Sequence, residues 1–200
     1  MAASETTAFL ISNAFFQLSR NPPVLQRLRD EVNSLGPSKA VELDFERLSS
    51  MKYLRDVLNE TLRLHPIFSQ MFRVALRDTK LPLGGGPNGT SPVYVREGTV
   101  LATSFYTLHR LPSIWGSDAA DFKPERWYTF KPNPWEYVPF GGGSRACVGQ
   151  QKALMEASYV IVRVLQEYSH IESRDGREWE GHVQMTSKSA NGCKLSLTKN

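Results

Sequence analysis

Phe140-Gly141-Gly142-Gly143-Ser144-Arg145-Ala146-Cys147-Val148-Gly149 is a glycine-rich loop that carries a cysteine near its end, and the residues after it, Gln150 to Glu167, have the spacing of a strong helix. Three readings compete for it. A flexible turn followed by a small packing thiol accounts for the composition without any chemistry. A dinucleotide fingerprint fits Gly141-x-Gly143-x-x-Ala146 ahead of a helix, with Glu167 about the right distance on, but it needs a strand entering the loop and a βαβ unit. Pro132, Pro134 and Pro139 crowd that approach. A thiolate ligand uses more of the residues. Glycines let the backbone approach a flat macrocycle and turn N–H groups towards the sulfur, and the following helix N-terminus favours its negative charge. Arg145, two residues earlier, reaches a carboxylate, and Phe140 packs on the ring beside the sulfur.

Working back from the loop, Leu111 to Pro139 holds five prolines and three of the four tryptophans and has no clear period. A loop of that length is expected to be functional or pinned to something. Met51 to Leu64 reads as a helix with Leu54, Val57, Leu58, Thr61, Leu62 and Leu64 inward, stopped by His65-Pro66. On it Glu60-Thr61-Leu62-Arg63 makes an acid–base pair at i,i+3, which taken alone is a surface contact of small value. Ala2 to Arg20 predicts a helix ended by Asn21-Pro22-Pro23, and Val24 to Leu35 a second one closed by Gly36-Pro37. Phe72 to Leu76, Val93 to Val95 and Val100 to Phe105 are strand candidates divided by the run Gly84 to Gly89, and Val183 to Leu197 reads as strand-like pieces around Asn191-Gly192. The fold class is mainly α with minor β.

Composition narrows the function classes. The chain has 200 residues, 40% of them hydrophobic and 22% charged, and a formal net charge of +4 spread along it, so no nucleic-acid footprint is expected. Cys147 and Cys193 are the two cysteines; with no CxxC or Cys/His cluster they suggest neither zinc nor a disulfide scaffold, and they point to a reducing compartment. Cys193 fits no motif and reads as a packing thiol. The apolar stretch Ala8 to Leu18 lacks a basic n-region and a cleavage site, and Ser12-Asn13 interrupts it short of the ~20 residues that span a bilayer. It reads as a helix apolar nearly all round, of the type found inside a large protein, and it begins without an N-cap as if cut in half.

Four motifs in order carry a resemblance: Ala2-Ala3-Ser4-Glu5-Thr6-Thr7, then Glu60-Thr61-Leu62-Arg63 with Leu64-His65-Pro66, then Pro124-Glu125-Arg126-Trp127, then the cysteine loop. Together they resemble the C-terminal portion of the cytochrome P-450 (haem-thiolate monooxygenase) superfamily across residues 1 to 200, a partial domain without its N-terminal half. The resemblance implies the C-terminal half of the cytochrome P-450 fold: the end of the oxygen-binding helix, the ExxR helix, small β sheets, the meander, the Cys-ligand loop and the final helix. It implies that Cys147 is the axial ligand of the iron of haem b (iron protoporphyrin IX), with Arg145, Phe140, Gly141, Gly143, Gly149 and Arg73 binding the cofactor. Arg73 on its own also reads as an exposed strand arginine, and His109-Arg110 is a further candidate for a propionate. Glu60, Arg63 and Arg126 are implied to form a buried structural ion cluster. Glu5 and Thr6 are implied to be catalytic, Thr6 hydrogen-bonding the dioxygen being activated and Glu5 relaying protons. Ala3 departs from the pattern, since most members carry glycine there.

Within the superfamily, Leu81-Pro82-Leu83-Gly84-Gly85-Gly86-Pro87 followed by Ser91-Pro92-Val93 looks like fungal enzymes that hydroxylate alkanes or fatty acids, which implies a small apolar substrate with a long chain. Ile67, Phe68, Met71 and Met185-Thr186-Ser187 match segments that face substrate in such enzymes. Further implied are dioxygen as co-substrate, electrons from NADPH through a separate reductase, and a place on the cytoplasmic face of the endoplasmic reticulum membrane; Lys152 reads either as a docking contact for that reductase or as an ordinary solvated lysine. Two other readings stand beside this one: a truncated, non-catalytic haem-binding or interaction remnant, and a haem-thiolate isomerase or dehydratase.

Overall fold

The structure is a computed structural model that describes residues 2–36 and 42–199. Pro37, in the expected closure of the second helix, lies outside the described residues, as does the side chain of Ala3.

Helix α1 (Ala2–Leu18) buries Leu10, Ala14, Phe15, Phe16 and Leu18. Its last turn is tied off by Asn21, whose Nδ2 donates to Gln17 O at 2.7 Å. The proline pair after it starts the next helix as well as ending the first. Helix α2 (Pro22–Asn33) opens on Pro22, where a missing N–H costs nothing and a fixed φ is already helical. Its stripe Val24, Leu28 and Val32 is buried. Helix α3 (Phe45–Ser50), too short to show a period, was not foreseen; Asp44 caps it by accepting from Arg47 N at 2.8 Å.

Helix α4 (Lys52–Leu64) follows at once. Its N-cap residue, Met51, has no side-chain acceptor to offer. Glu31 on α2 takes that role, its two carboxylate oxygens accepting the N–H groups of Tyr53 and Leu54 at 2.9 Å each. The inward face of α4 contains Leu54, Val57, Leu58, Leu62 and Leu64, all buried. Helix α8, which follows the cysteine loop, spans Gln150–Glu167 as the pattern predicts and buries Ala157, Ile161, Val162 and Leu165. Arg29 of α2 caps its far end through Leu165 O at 3.0 Å. Helices α1, α2, α4 and α8 pack together around one apolar core. Truncating a fully buried member such as Leu58 costs ~2–5 kcal/mol.

Among the described residues the strands pair as four antiparallel ribbons. They are β1 (Gln70–Val74) with β4 (Val100–Ser104), β2 (Thr79–Gly85) with β3 (Ser91–Val95), β5 (Tyr168–Ser173) with β8 (Leu195–Lys199), and β6 (Gly181–Val183) with β7 (Ser187–Ser189). The glycine run expected to separate strands is partly a strand itself. Gly85 pairs with Ser91, and a Cβ at Gly85 would stand 2.7 Å from Pro92 O, so the ribbon closes only around a bare Cα. Strand β5 was also unforeseen, since Ile171 is its one buried residue.

Between β4 and α8 the chain has three single-turn helices, α5 (Phe105–Leu108), α6 (Pro112–Trp115) and α7 (Arg126–Thr129), joined by irregular backbone. Among the described residues no helix is long and apolar enough to cross a membrane.

Candidate functional site

Helix α4 brings Glu60 and Arg63 to its inner face one turn apart, and both are fully buried. Five N–H groups converge on the Glu60 carboxylate. Oε1 accepts from Arg63 Nη2 (2.8 Å), Lys123 N (3.1 Å) and Arg126 Nε (3.4 Å), and Oε2 from Arg63 Nε (2.9 Å) and Trp127 Nε1 (3.1 Å). Arg63 spends its remaining donors on main-chain carbonyls of the irregular segment between β4 and α8, the meander, those of Ala119 (2.6 Å), His109 (2.8 Å) and Asp121 (3.0 Å). Arg126 on α7 does likewise, reaching Trp115 O and Asp118 O at 2.8 Å each.

The structure thus gathers Glu60, Arg63 and Arg126, and adds members that sequence reasoning missed. Asp118 pairs with Arg126 Nη1 at 2.7 Å, and hydrogen bonds from Arg126 and Lys123 hold its carboxyl down to about 2. Burial pulls the Arg126 guanidinium down, but Asp118 and Glu60 outweigh it and raise it above its ordinary value. Trp115, Trp127, Phe130 and Tyr137 pack edge to face and tilted around the cluster, and Tyr137 OH donates to Asn59 O at 3.0 Å. Nothing in the spacing of Asp118 marks it out.

His109 and Arg110 are placed inside this framework. The His109 ring is wholly buried, accepts the Val138 N–H at 3.0 Å on Nε2, and packs against Phe105, Trp115 and Tyr137. Its proton therefore sits on Nδ1, and burial first, then the nearby Arg63 and Arg110, pushes it down to about 3. Arg110 donates to Leu64 O and lies 3.7 Å over the Tyr106 ring. Both residues hold the meander to α4.

The cysteine loop follows Val138 closely in the chain. Gly141 (φ 70°) and Gly143 (φ 69°) adopt left-handed backbone, and the Cys147 N–H closes the loop on Phe140 O at 2.9 Å. Gly143–Arg145 forms a 3-10 turn, and Gly149 is the N-cap of α8. Cys147 is free and exposed at the head of that 18-residue helix. A Cβ at Gly149 would lie 3.8 Å from its Sγ, and one at Gly141 3.8 Å from the Met71 methyl, so β1 lies against the loop. Phe140 is half-buried against the apolar core, and Arg145 is exposed.

The remaining expected residues are more scattered. Arg73 is exposed on β1 and donates to Phe72 O at 2.8 Å, a local bond. Glu5 is exposed and Thr6 half-buried on the first turns of α1. Lys152 pairs along its own helix with Glu156 at 3.6 Å. Ser187 N donates to Ile67 O at 2.6 Å, which sets the Ile67-Phe68 and Met185-Ser187 segments side by side. Next to them lies a cleft of about 490 Å³ lined by Ser69, Gln70, Tyr106, Trp179 and Val183 among others.

This donor set suits one kind of metal group. Among the described residues no three His, Cys, Asp or Glu side chains gather for an ion, so an iron held by Cys147 must bring its other ligands with it. A porphyrin does so. The exposed sulfur at a helix head, in a loop whose glycines put no side chain beside it, fits a haem approached from the sulfur side.

A mainly α fold with small antiparallel ribbons, carrying one cysteine in a glycine loop together with a buried Glu–Arg–Arg cluster, defines the haem-thiolate class. The chain belongs to the cytochrome P450 family, whose sequence model, described as Cytochrome P450, matches residues 1–190. It is 49% identical over 183 residues to cytochrome P450 52A3-B of Candida maltosa, covering 88% of this chain and 35% of the relative. It is 46% identical over 194 residues to cytochrome P450 monooxygenase alt2 of Alternaria solani, covering 93% and 36%. A crystal structure of a cytochrome P450 (CYP102L1) superposes with a TM-score of 0.85 at 31% identity, covering 100% of this chain and 43% of that one. The chain spans little more than a third of the length of these curated relatives.

Proposed function

We propose that this chain supplies the iron ligand and the proximal framework of a haem-dependent monooxygenase that hydroxylates a long apolar substrate, an alkane or a fatty acid. The observation that carries the reading is Cys147: a free, exposed thiol at the head of α8, in a loop closed by its own N–H. Relatives named as monooxygenases support the reaction class. The likeness of Leu81 to Val93 to fungal hydroxylases, and the apolar Ile67, Phe68, Met71 and Met185, support the substrate class.

Haem bound at Cys147 would supply the iron at which dioxygen is activated, with electron donation from the sulfur assisting O–O cleavage. The protein's own residues do the rest. Cys147, at the head of α8, would hold the iron, and the bare backbone of Gly141, Gly143 and Gly149 would let the ring approach the sulfur. Phe140 would pack beside the ring, and Arg145 and Arg73, both exposed, would offer their guanidinium groups to its carboxylates. Glu5, exposed, would help to relay protons from solvent, and Thr6 would offer its hydroxyl as a hydrogen-bond partner to the dioxygen being activated. Glu60, Arg63 and Arg126 keep the meander in place. Electrons come from NADPH through a separate reductase, on the cytoplasmic face of the endoplasmic reticulum membrane.

The test is the reduced carbon-monoxide difference spectrum of the haem-loaded chain. The thiolate-type Soret band is expected, and Cys147→Ala abolishes it. A parent without the band, or a band that survives Cys147→Ala, overturns the assignment. Reductase-dependent oxidation of a fatty acid by the loaded protein then tests the substrate class.

A further inference from the structure

Trp135 is the residue beside the cysteine loop whose placement most needs a reason. It is 64% exposed and holds a left-handed φ of 74°, a region that bulky side chains avoid. Asn133 and Glu136 impose that conformation. The Glu136 carboxylate accepts from Asn133 N (2.6 Å) and Asn133 Nδ2 (3.0 Å), and Glu136 N donates back to Asn133 O (3.1 Å). The next two residues turn inward, Tyr137 to Asn59 on α4 and Val138 to the buried His109.

The consequence is where the indole lands. A Cβ built on Gly142 would stand 2.5 and 2.7 Å from Trp135 Cζ3 and Cη2, and one on Gly143 3.8 Å from Cη2. Gly142 itself is extended, with φ −161° and ψ 169°, a conformation open to any residue. Glycine is needed at 142 for the space that the indole takes, and Gly142 sits between the two left-handed glycines that let the loop close on Phe140 O.

We propose that Trp135 is a positioning residue for Cys147: its indole clamps the glycine loop from the outer side and keeps the backbone around Gly142 from swinging into water. This rests on the reading of Cys147 as haem ligand. Hydrogen bonding and solvent around a ligating sulfur tune the potential of its iron. Trp135 therefore sets the potential without touching the sulfur.

The test has two arms. A thermal double-mutant cycle uses Gly142→Ala, Trp135→Ala and the pair. Gly142→Ala lowers the melting temperature by about 2 to 4 °C where Trp135 is present and by less than about 1 °C where Trp135→Ala has made room. In the haem-loaded protein, Trp135→Ala moves the reduction midpoint to more positive values and lowers the share of the reduced carbon-monoxide complex in the thiolate-type band, while Trp135→Phe restores both. Additive melting shifts overturn the clamp. Coupled shifts with an unmoved midpoint overturn the positioning role and leave a packing contact. A parent that takes up no haem overturns the functional reading beneath, and with it the part of the proposal that concerns the ligand; the thermal cycle still reads the clamp separately.

Discussion

Glu60→Gln replaces one carboxylate oxygen by an amide that donates instead of accepting. If the amide takes the Oε1 position it faces Arg63 Nη2, Lys123 N and Arg126 Nε; if it flips, it faces Arg63 Nε and Trp127 Nε1. Neither orientation avoids opposing donors. The neutral side chain also leaves the fully buried Arg63 without its counter-charge. Breaking a buried pair in this way costs about 3–5 kcal/mol. For a chain of 200 residues each kcal/mol lowers the melting temperature by about 2–4 °C, so a drop on the order of 6–20 °C is expected. Circular dichroism melts and urea midpoints at pH 7 measure it, with Asp118→Asn as the comparison. The Asp118 side chain keeps 32% of its exposure, so losing its charge costs only about 1 kcal/mol. Arg63→Met is costlier than Glu60→Gln, because it also strands three meander carbonyls at about 1–3 kcal/mol each. A Glu60→Gln protein within about 1 kcal/mol of the parent, or no worse than Asp118→Asn, would refute the buried-hub argument.

Two further outcomes follow from buried or capping groups. Burial holds His65 and His109 down to about 3 each, so the folded protein keeps both neutral while the unfolded chain protonates them below about 6.5. Stability is full above that value and is lost as pH falls through the window from 6.5 to 3, by about 2 kcal/mol per histidine at pH 5. Asp56, raised to about 6 by burial, works the other way and blunts the loss below pH 6, while Asp118 adds to it only below its ordinary 3.8. A urea midpoint unchanged between pH 7 and pH 5 contradicts this account. Glu31→Ala removes the acceptor for two helix-end N–H groups and costs about 1–2 kcal/mol, with faster hydrogen exchange at the Tyr53 and Leu54 amides; unchanged exchange there would show that Glu31 does not cap α4.

The long periodic helices were legible because their apolar spacing is a property of the segment itself. Gln150–Glu167 matched its reading at both ends, and Met51 to Leu64 differed by one residue. The cysteine loop and the Glu60–Arg63 pair were legible through motif order. What escaped reading depends on partners far along the chain. Asp118 is one acid among many until α7 delivers Arg126 to it, and the cap of α4 comes from Glu31 on another helix. Gly85 looked like a spacer because its requirement is the approach of Pro92 O across the ribbon. His109 had the composition of a ligand contact, and only the fold shows it enclosed by Phe105, Trp115 and Tyr137.

The way Arg63 and Arg126 hold the meander bears on how that segment can change. They grip the carbonyls of His109, Trp115, Asp118, Ala119 and Asp121, and a carbonyl is the same whichever side chain its residue bears. Replacement at Ser117 or Ala120 therefore leaves the grip unread and drift in composition is tolerated there. Spacing is another matter. Adding or removing a single residue between Trp115 and Asp121 shifts every later carbonyl off its guanidinium, so the stretch is free in spelling and rigid in length.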